Sequence, residues 1–150
     1  MARTEVVTLT NMCMITDGSR VLVQHRNDPG WPGITFPGGH VEKGESFTDA
    51  VIREVKEETC LRIWQPRLCG IKDWINEDGS RYVVLLYRTE HFEGTLVSSE
   101  EGEVRWVEMA DLNTQPLAEG MERMLQVFLR EDISEEFFWT EDGEWKETLK

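Results

Sequence analysis

A helix with carboxylates on its buried side is the feature that most restricts what this chain can fold into. Ser46 is placed as an N-cap after Gly44, with Asp49 three residues on, and this predicts a helix over residues 47–59. At about 100° per residue, the apolar side chains of this helix form one arc. The arc contains Phe47, Ala50, Val51 and Val55, together with Glu54 and Glu58. The opposite face, predicted to be solvated, carries Asp49, Arg53 and Lys56.

Glu57 lies at the edge of the same arc, so three carboxylates stand within about one turn. A solvated Glu-rich surface, the alternative, does not explain why Glu54 and Glu58 fall among the apolar positions. Buried like charges raise one another's pKa unless a cation compensates them. Oxygen ligands without His or Cys suit a hard divalent ion, so the pattern predicts Mg²⁺, or Mn²⁺ as the second choice.

The loop before the helix contains Phe-Pro-Gly-Gly at residues 36–39. Without a β-carbon, Gly38 or Gly39 leaves room for a backbone carbonyl to approach a metal or an amide to approach a phosphate. A glycine pair also marks an ordinary turn. His40 follows directly and is either a phosphate contact or an exposed histidine without a role.

The segment GHVEKGESFTDAVIREVKEETCL, residues 39–61, resembles the Nudix box. The family pattern is G-x5-E-x7-R-E-U-x-E-E-x-G-U, where U is a bulky apolar residue. Every defined position matches except Cys60, which stands where the family has glycine. Residues 3–15, 34–46 and 103–112 are also similar to MutT-type bacterial Nudix proteins, many of them described as 8-oxo-dGTP diphosphatases.

The resemblance implies an α+β (α/β/α) sandwich, the Nudix fold, with a mixed sheet between helices. It also implies cleavage of a diphosphate by in-line attack of water on phosphorus, with metal ions stabilising charge. Glu54 or a nearby acid would assist the water as base. The other implied assignments are the metal ligands Glu54, Glu57 and Glu58, a backbone carbonyl of Gly38 or Gly39, and a supporting pair of Arg53 with Glu45.

One more acid is expected from the loop before the strand that bears Trp106. Glu101 is the preferred ligand, ahead of Glu100 and Glu103, and simple solvation of a loop glutamate is the alternative. The expected substrate contacts are Gly38, Gly39, His40 and Arg26.

Recognition of the base is less well defined by the sequence. In the MutT pattern an Asn entering the final helix recognises the oxidised guanine, but the corresponding place here is Gly120 or Met121, and Asn113 falls short of it. Trp31 and Trp74 lie near loops that flank a base, or they belong to the core. The resemblance therefore favours 8-oxo-dGTP or a related purine triphosphate as substrate. Another nucleotide substrate, or a nucleotide-sensing module without turnover, remains an alternative.

The composition limits the partners. Twenty-nine acidic and 16 basic residues give a net charge of −13, which argues against a nucleic-acid polymer or an anionic membrane. A small nucleotide carried with its metal remains compatible. Cys13, Cys60 and Cys69 lack metal-site spacing and are expected to be reduced thiols of a cytoplasmic protein, because no signal peptide or span of about 20 apolar residues is present.

The remaining elements are those of one mixed domain over residues 1–150, expected to be a monomer or a homodimer. Strands are predicted at 5–15, 21–26, 68–75, 81–91 and 104–109, a second helix at 117–129, and a C-terminal hairpin at 136–149 around Glu141-Asp142-Gly143.

Overall fold

The computed structural model describes residues 3–150, so the first two residues of the predicted domain lie outside the described residues. Two α-helices, α1 (Phe47–Thr59) and α2 (Met121–Leu129), and a 3-10 helix at Met109–Thr114 accompany the strands in this part of the chain. The strands are β1 (Val7–Asp17), β2 (Arg20–Arg26), β3 (Gly33–Thr35), β4 (Arg62–Ile63), β5 (Arg67–Ile75), β6 (Arg81–Thr89), β7 (Phe92–Glu93), β8 (Gly102–Glu108), β9 (Glu135–Glu141) and β10 (Glu144–Leu149).

One mixed sheet dominates the described residues. Its strand order is β10-β9-β5-β6-β1-β2-β3, and β8 pairs with β2. The pairs β1 with β6 and β5 with β9 are parallel, and the other neighbours are antiparallel. A separate pair, β4 with β7, lies beyond the end of α1.

The sheet opens between β1 and β2. These strands pair at their hairpin end, where Thr16 faces Val21 and Asp17 faces Arg20. Beyond that point residues 37–41 fill the gap along β1. The N–H groups of Cys13 and Asn11 donate to the carbonyls of Pro37 and Gly39, both at 2.8 Å. In return, the N–H of Val41 donates to the Leu9 carbonyl at 2.9 Å. The glycine loop is thereby fixed beside the helix α1 that follows it.

Alternate residues of the central strands face two cores, because successive side chains of a strand point to opposite faces. Leu22 packs with Val51 and Val55 of α1, while Val21 and Val23 pack on the α2 side. The predicted arrangement of a mixed sheet between helices, with a C-terminal hairpin of β9 and β10, is confirmed.

Several element boundaries differ from the sequence prediction. The bounds of α1 are as predicted, but α2 begins at Met121, because Gly120 has φ +85° and Leu117 instead bridges to Ile34. The 3-10 helix and the short strands β3, β4 and β7 were not predicted, since they carry no periodic pattern of their own.

No helix among residues 3–150 combines the length and the apolar character that crossing a membrane requires.

Cys60, at the end of α1, is the one departure from the Nudix box pattern, and its effect can be tested. Cys60 adopts φ 63°, ψ 3°, the left-handed conformation in which a β-carbon costs about 1 kcal/mol relative to glycine. We expect Cys60→Gly to raise the free energy of unfolding by up to about 1 kcal/mol, without loss of turnover. Thermal denaturation of Cys60→Gly beside Cys60→Ala checks this, because the alanine removes the thiol and keeps the β-carbon. If both variants were more stable than the wild type, the effect would come from removal of the thiol and not from the backbone conformation.

Candidate active site

The helix α1 begins with the predicted cap. The Ser46 hydroxyl accepts a hydrogen bond from the Asp49 amide at 3.0 Å. Ala50, Val51 and Val55 are buried, but Phe47 is 43% exposed, so its placement in the buried arc was wrong. The first turn of a helix lies at the margin of the core, which leaves a side chain there partly in solvent.

The three glutamates of the last turns differ in burial. The residue Glu58 is 6% exposed, and the Glu54 side chain is 14% exposed, as expected for positions inside the apolar arc. Glu57, at the edge of the arc, has a side chain that is 58% exposed. The helix therefore presents two carboxylates to the interior and one to the rim.

Glu58 is the carboxylate held most firmly by the protein. Its Oε2 accepts hydrogen bonds from Gln24 Nε2 at 2.9 Å and from the Gly38 amide at 3.2 Å. Burial nevertheless raises the pKa of Glu58 to about 7, and the negative charges of Glu54 and Glu101 act in the same direction. A cation bound beside this side chain would favour its charged form and so lower its pKa.

Arg53 is not on a solvated face, contrary to the prediction. Its side chain is 25% exposed and folds back over the acids. Its guanidinium donates to both carboxylate oxygens of Glu45, at 2.7 and 2.9 Å, which confirms the predicted pair. It also donates to Glu54 and Glu57, at 2.9 and 3.2 Å, and to the His40 carbonyl at 2.9 Å. A long flexible side chain reaches opposite charges beyond the direction in which its Cα–Cβ bond points.

The glycine loop approaches the acids closely. A β-carbon on Gly39 would lie 2.3 Å from a carboxylate oxygen of Glu54. The amides are already used, since Gly38 donates to Glu58 and Gly39 donates to Asn11 Oδ1 at 3.1 Å. The carbonyl of Gly39 is bonded to Asn11 as well, which leaves the Gly38 carbonyl as the backbone ligand to consider. The exposed His40 side chain follows at the mouth of the loop.

Two residues of this site were missed by sequence reasoning. Gln24 and Asn11 are buried amides, 1% and 4% exposed, that hold Glu58 and Gly39 respectively. The available signal was a polar residue inside an apolar strand, as in VLVQ of β2. A buried polar side chain requires a partner, and here the partner is the active-site loop or helix.

Of the three glutamates at the start of β8, Glu101 acts on the acids of α1. Glu100, Glu101 and Glu103 are all exposed, but Glu101 is the one whose charge raises the pKa of Glu58. Glu103 instead lies 3.8 Å from Arg105, and the Glu100 carbonyl accepts from Asn27. Glu101 therefore stays the preferred loop ligand.

Arg26 is committed to its own loop. Its guanidinium donates to the Trp31 carbonyl at 3.2 Å and to Asp28 at 3.0 Å, and it lies 5.4 Å from the centre of the Trp31 ring. Arg26 thus holds the Trp31 ring in place. Its predicted contact with the substrate would be made through that ring, or directly after the guanidinium has left Asp28.

An aromatic cavity of about 400 Å³ lies on the α2 side of the sheet. Trp31 and Trp74, proposed from the sequence to flank a base, both line it, as does Gly120. Trp31 is fixed by donating its indole N–H to the Glu119 carbonyl at 2.8 Å. Glu119 itself lines the cavity, and the other lining residues are Lys72, Arg123, Phe138, Trp145, Lys146 and Glu147. Gln24, which bonds Glu58, and Arg26, which lies over the Trp31 ring, are two residues apart on β2.

The acids do not form a ready-made metal site in the described residues: no three His, Cys, Asp or Glu side chains converge on one point. The reason is that Arg53 pairs with Glu54 and Glu57, while Glu58 is held by Gln24 and Gly38. The donor set still fits a hard divalent ion, because it consists of carboxylate and carbonyl oxygens. Two of its carboxylates have pKa values raised by burial, which a bound cation would reverse.

Comparison with known proteins decides the family. The NUDIX domain model matches residues 8–128. The chain belongs to the Nudix family. The Nudix hydrolase YvcI of Bacillus subtilis is 33% identical over 123 residues, which cover 79% of this chain and 77% of that one. An ADP-ribose pyrophosphatase of Methanocaldococcus jannaschii is 30% identical over 116 residues, 76% of this chain and 68% of that protein.

The fold of this Nudix chain is shared with solved MutT proteins, as the MutT-like resemblance implied. A mutator MutT protein of Bacillus halodurans superposes with a TM-score of 0.79 at 28% identity, covering 95% of this chain and 97% of that one. The chain is thus a Nudix pyrophosphohydrolase, an enzyme of a family that acts on small nucleotide-like substrates and generally uses divalent metal ions.

The buried carboxyl groups of this Nudix enzyme predict a pH dependence of stability. The pKa values of Glu58 and Glu135 are raised from 4.5 to about 7, by burial for Glu58 and by hydrogen bonding to the buried Asp73 for Glu135. The folded protein binds more protons than the unfolded chain between these values, so the free energy of unfolding should fall as the pH rises from about 4.5 to about 7. Urea unfolding of the metal-free protein at several pH values measures this slope. Glu58→Gln and Glu135→Gln should each reduce it, and an unchanged slope in both would contradict the assignment.

Proposed function

We propose that the chain hydrolyses purine nucleoside triphosphates to monophosphate and pyrophosphate with Mg²⁺, that it prefers 8-oxo-dGTP, and that it thereby clears oxidised nucleotides from the pool. The observation that carries this proposal is the Glu58 carboxylate, 6% exposed and with its pKa raised to about 7, held beside Glu54 and the glycine loop. Such an arrangement is costly without a cation and well suited to one.

The chain's own residues divide the work of this reaction. Glu54, Glu57, Glu58, Glu101 and the Gly38 carbonyl would hold Mg²⁺, with Mn²⁺ as a substitute. When bound, the ion would neutralise negative charge on the phosphates and lower the pKa of the attacking water. Arg53, tied to Glu45, positions Glu54 and Glu57 and releases them to the ion.

The substrate contacts follow from the groups that remain available. Glu54, whose pKa is raised by burial, would accept a proton from the attacking water. The amides of Gly38 and Gly39 are already bonded within the protein, so the phosphates would be bound through the ion and the exposed His40. The base would stack in the aromatic cavity beside Trp31, with Arg26 behind that ring.

ADP-ribose is the second candidate substrate, because the Methanocaldococcus jannaschii relative at 30% identity is an ADP-ribose pyrophosphatase. A module that binds nucleotide without turnover is a less favoured alternative, since a sensor has no need of all three intact glutamates. We further propose that residues 1–150 act as one domain in the cytoplasm, as a monomer or a homodimer, which light scattering would distinguish.

Comparison of kcat/KM for 8-oxo-dGTP, dGTP and ADP-ribose in Mg²⁺ tests the substrate. The proposal predicts pyrophosphate as product and the highest value for 8-oxo-dGTP, because a polar pocket distinguishes the altered edge of the oxidised base. A ratio near one for 8-oxo-dGTP and dGTP would make the enzyme a general nucleoside triphosphate pyrophosphohydrolase. A preference for ADP-ribose would replace the proposal by the second candidate.

A further inference from the structure

The aromatic cavity has a lysine at its base. Lys72 is 9% exposed, and its ammonium lies 5.1, 5.3 and 5.7 Å from the ring centres of Phe138, Trp31 and Trp74. Three aromatic faces at this range stabilise a cation without using its hydrogen-bond donors. Within the described part of the chain the Lys72 ammonium makes no hydrogen bond, although lysine has three N–H donors.

A buried carboxylate accompanies this lysine. Glu136 of β9 is the register partner of Lys72 of β5, and it is fully buried. Neither of its carboxylate oxygens has a hydrogen-bond partner among residues 3–150. Burial lowers the pKa of Lys72, and the negative charge of Glu136 offsets part of this effect. Glu136 is therefore the nearby buried carboxylate that favours the charged form of Lys72, without itself lining the cavity.

The space in front of Lys72 is open. A β-carbon built at Gly120 would lie 3.8 Å from the Lys72 ammonium, so any larger residue at position 120 would occupy the region into which the lysine donates. The lysine donors accordingly face a cavity lined by aromatic rings.

The nature of the ligand follows from this chemistry. Aromatic walls accept a flat heteroaromatic ring by stacking, and an ammonium donates to carbonyl oxygens but not to amino groups. Guanine presents the acceptor O6 where adenine presents the N6 amino donor. An oxidised guanine carries a further carbonyl at C8.

We propose that Lys72, placed beside Glu136 by the pairing of β5 with β9, determines the base specificity of this enzyme by selecting oxopurines over aminopurines. The inference rests on the proposed function, since it identifies the group that recognises the base of that substrate. A phosphate is a poorer occupant of the same cavity, because Glu119 and Glu147 line it and its other cations, Arg123 and Lys146, are paired with Glu147 and Glu144. Lys72 contacts the base, whereas Glu136 is a positioning residue.

The test measures the binding of product monophosphates to the metal-free protein through the quenching of its tryptophan fluorescence. The wild type should bind dGMP about 10- to 100-fold more tightly than dAMP, as expected for one charge-assisted hydrogen bond, and 8-oxo-dGMP at least as tightly as dGMP. Lys72→Met should remove this preference by weakening dGMP and 8-oxo-dGMP while leaving dAMP unchanged. Lys146→Met, which alters the more exposed lysine of the same cavity, should keep it.

Further variants exclude a purely structural explanation. Glu136→Gln should reduce the preference for dGMP, and Glu136→Asp should restore part of it. Should Lys72→Met fail to fold because Glu136 loses its counter-ion, the double variant Lys72→Met/Glu136→Gln buries no charge and should show the same loss. A retained preference in either protein overturns the inference.

The outcomes also separate the inference from the proposed function. Equal weakening of dGMP and dAMP in Lys72→Met would mean that the lysine contacts phosphate, and it would overturn the inference while leaving hydrolysis intact. The predicted change in base preference in a protein that hydrolyses no nucleoside triphosphate would support Lys72 as the selective group and refute the proposed reaction. No binding of any of the three monophosphates would overturn the inference.

Discussion

Replacing Glu57 or Glu58 by glutamine is expected to lower Mg²⁺-dependent turnover by about 10²-fold or more, as the loss of charge-stabilising groups commonly does. Each substitution keeps the size of the side chain and removes one negative charge from the proposed metal site. Initial rates at saturating Mg²⁺ measure the effect. Asp49→Asn, an exposed position of the same helix, is the matched control and should change turnover by less than about twofold.

The two glutamates should differ in their effect on stability. Glu58→Gln removes a buried carboxylate, so at pH 8 the metal-free variant should be at least as stable as the wild type. Glu57 is largely exposed and pairs with Arg53, so Glu57→Gln should give no such gain. Full Mg²⁺-dependent activity in both variants would show that the metal-site assignment is wrong.

Substituting Gly38 by alanine is expected to destabilise the protein by about 3 kcal/mol, a large effect for the addition of one methyl group. The new β-carbon would lie 2.1 Å from the Asn11 carbonyl oxygen and 2.7 Å from the Met12 Cα, and both of these are backbone atoms of β1. The loop must move away from β1, which also displaces the Gly38 amide from Glu58. Turnover should therefore fall together with stability.

Gly30→Ala is the control for this substitution. At Gly30 the nearest atom to an added β-carbon is an Asp28 carboxylate oxygen at 3.2 Å, on a side chain that can turn aside. Its free energy of unfolding should stay within about 0.5 kcal/mol of the wild type. Equal stability of Gly38→Ala and Gly30→Ala in urea unfolding would contradict the close packing of the glycine loop on β1.

The helix and its buried acids follow from the sequence because their causes are local. Ser46 caps the helix through a hydrogen bond to a residue three positions away, and the helical period alone places Glu54 and Glu58 inward. The helical period predicted a solvated face for Arg53, and this was wrong. The Arg53 side chain turns back toward Glu45 on the loop and Glu54 on its own helix.

The cavity depends on contacts between distant parts of the chain, which no local pattern specifies. Lys72 lies beside Glu136 only because β9 pairs parallel to β5. The Trp31 ring approaches Lys72 from the loop after β2. The C-terminal hairpin of β9 and β10 joins the main sheet, because β9 pairs with β5. In the structure it supplies Phe138 and Trp145 to the cavity wall, a role that its alternating sequence does not indicate.

Metal dependence is measured by pyrophosphate release from 8-oxo-dGTP as Mg²⁺ is added to protein first freed of metal with a chelator. We expect no release above the buffer without metal, saturable release as Mg²⁺ is added, and partial replacement of Mg²⁺ by Mn²⁺. Glu58→Gln should release pyrophosphate at least about 10²-fold more slowly. Release that the chelator does not affect would contradict the metal-dependent mechanism. Failure to hydrolyse 8-oxo-dGTP, the unmodified triphosphates and ADP-ribose in saturating Mg²⁺ would contradict the proposal that the acidic helix supports hydrolysis of nucleotides.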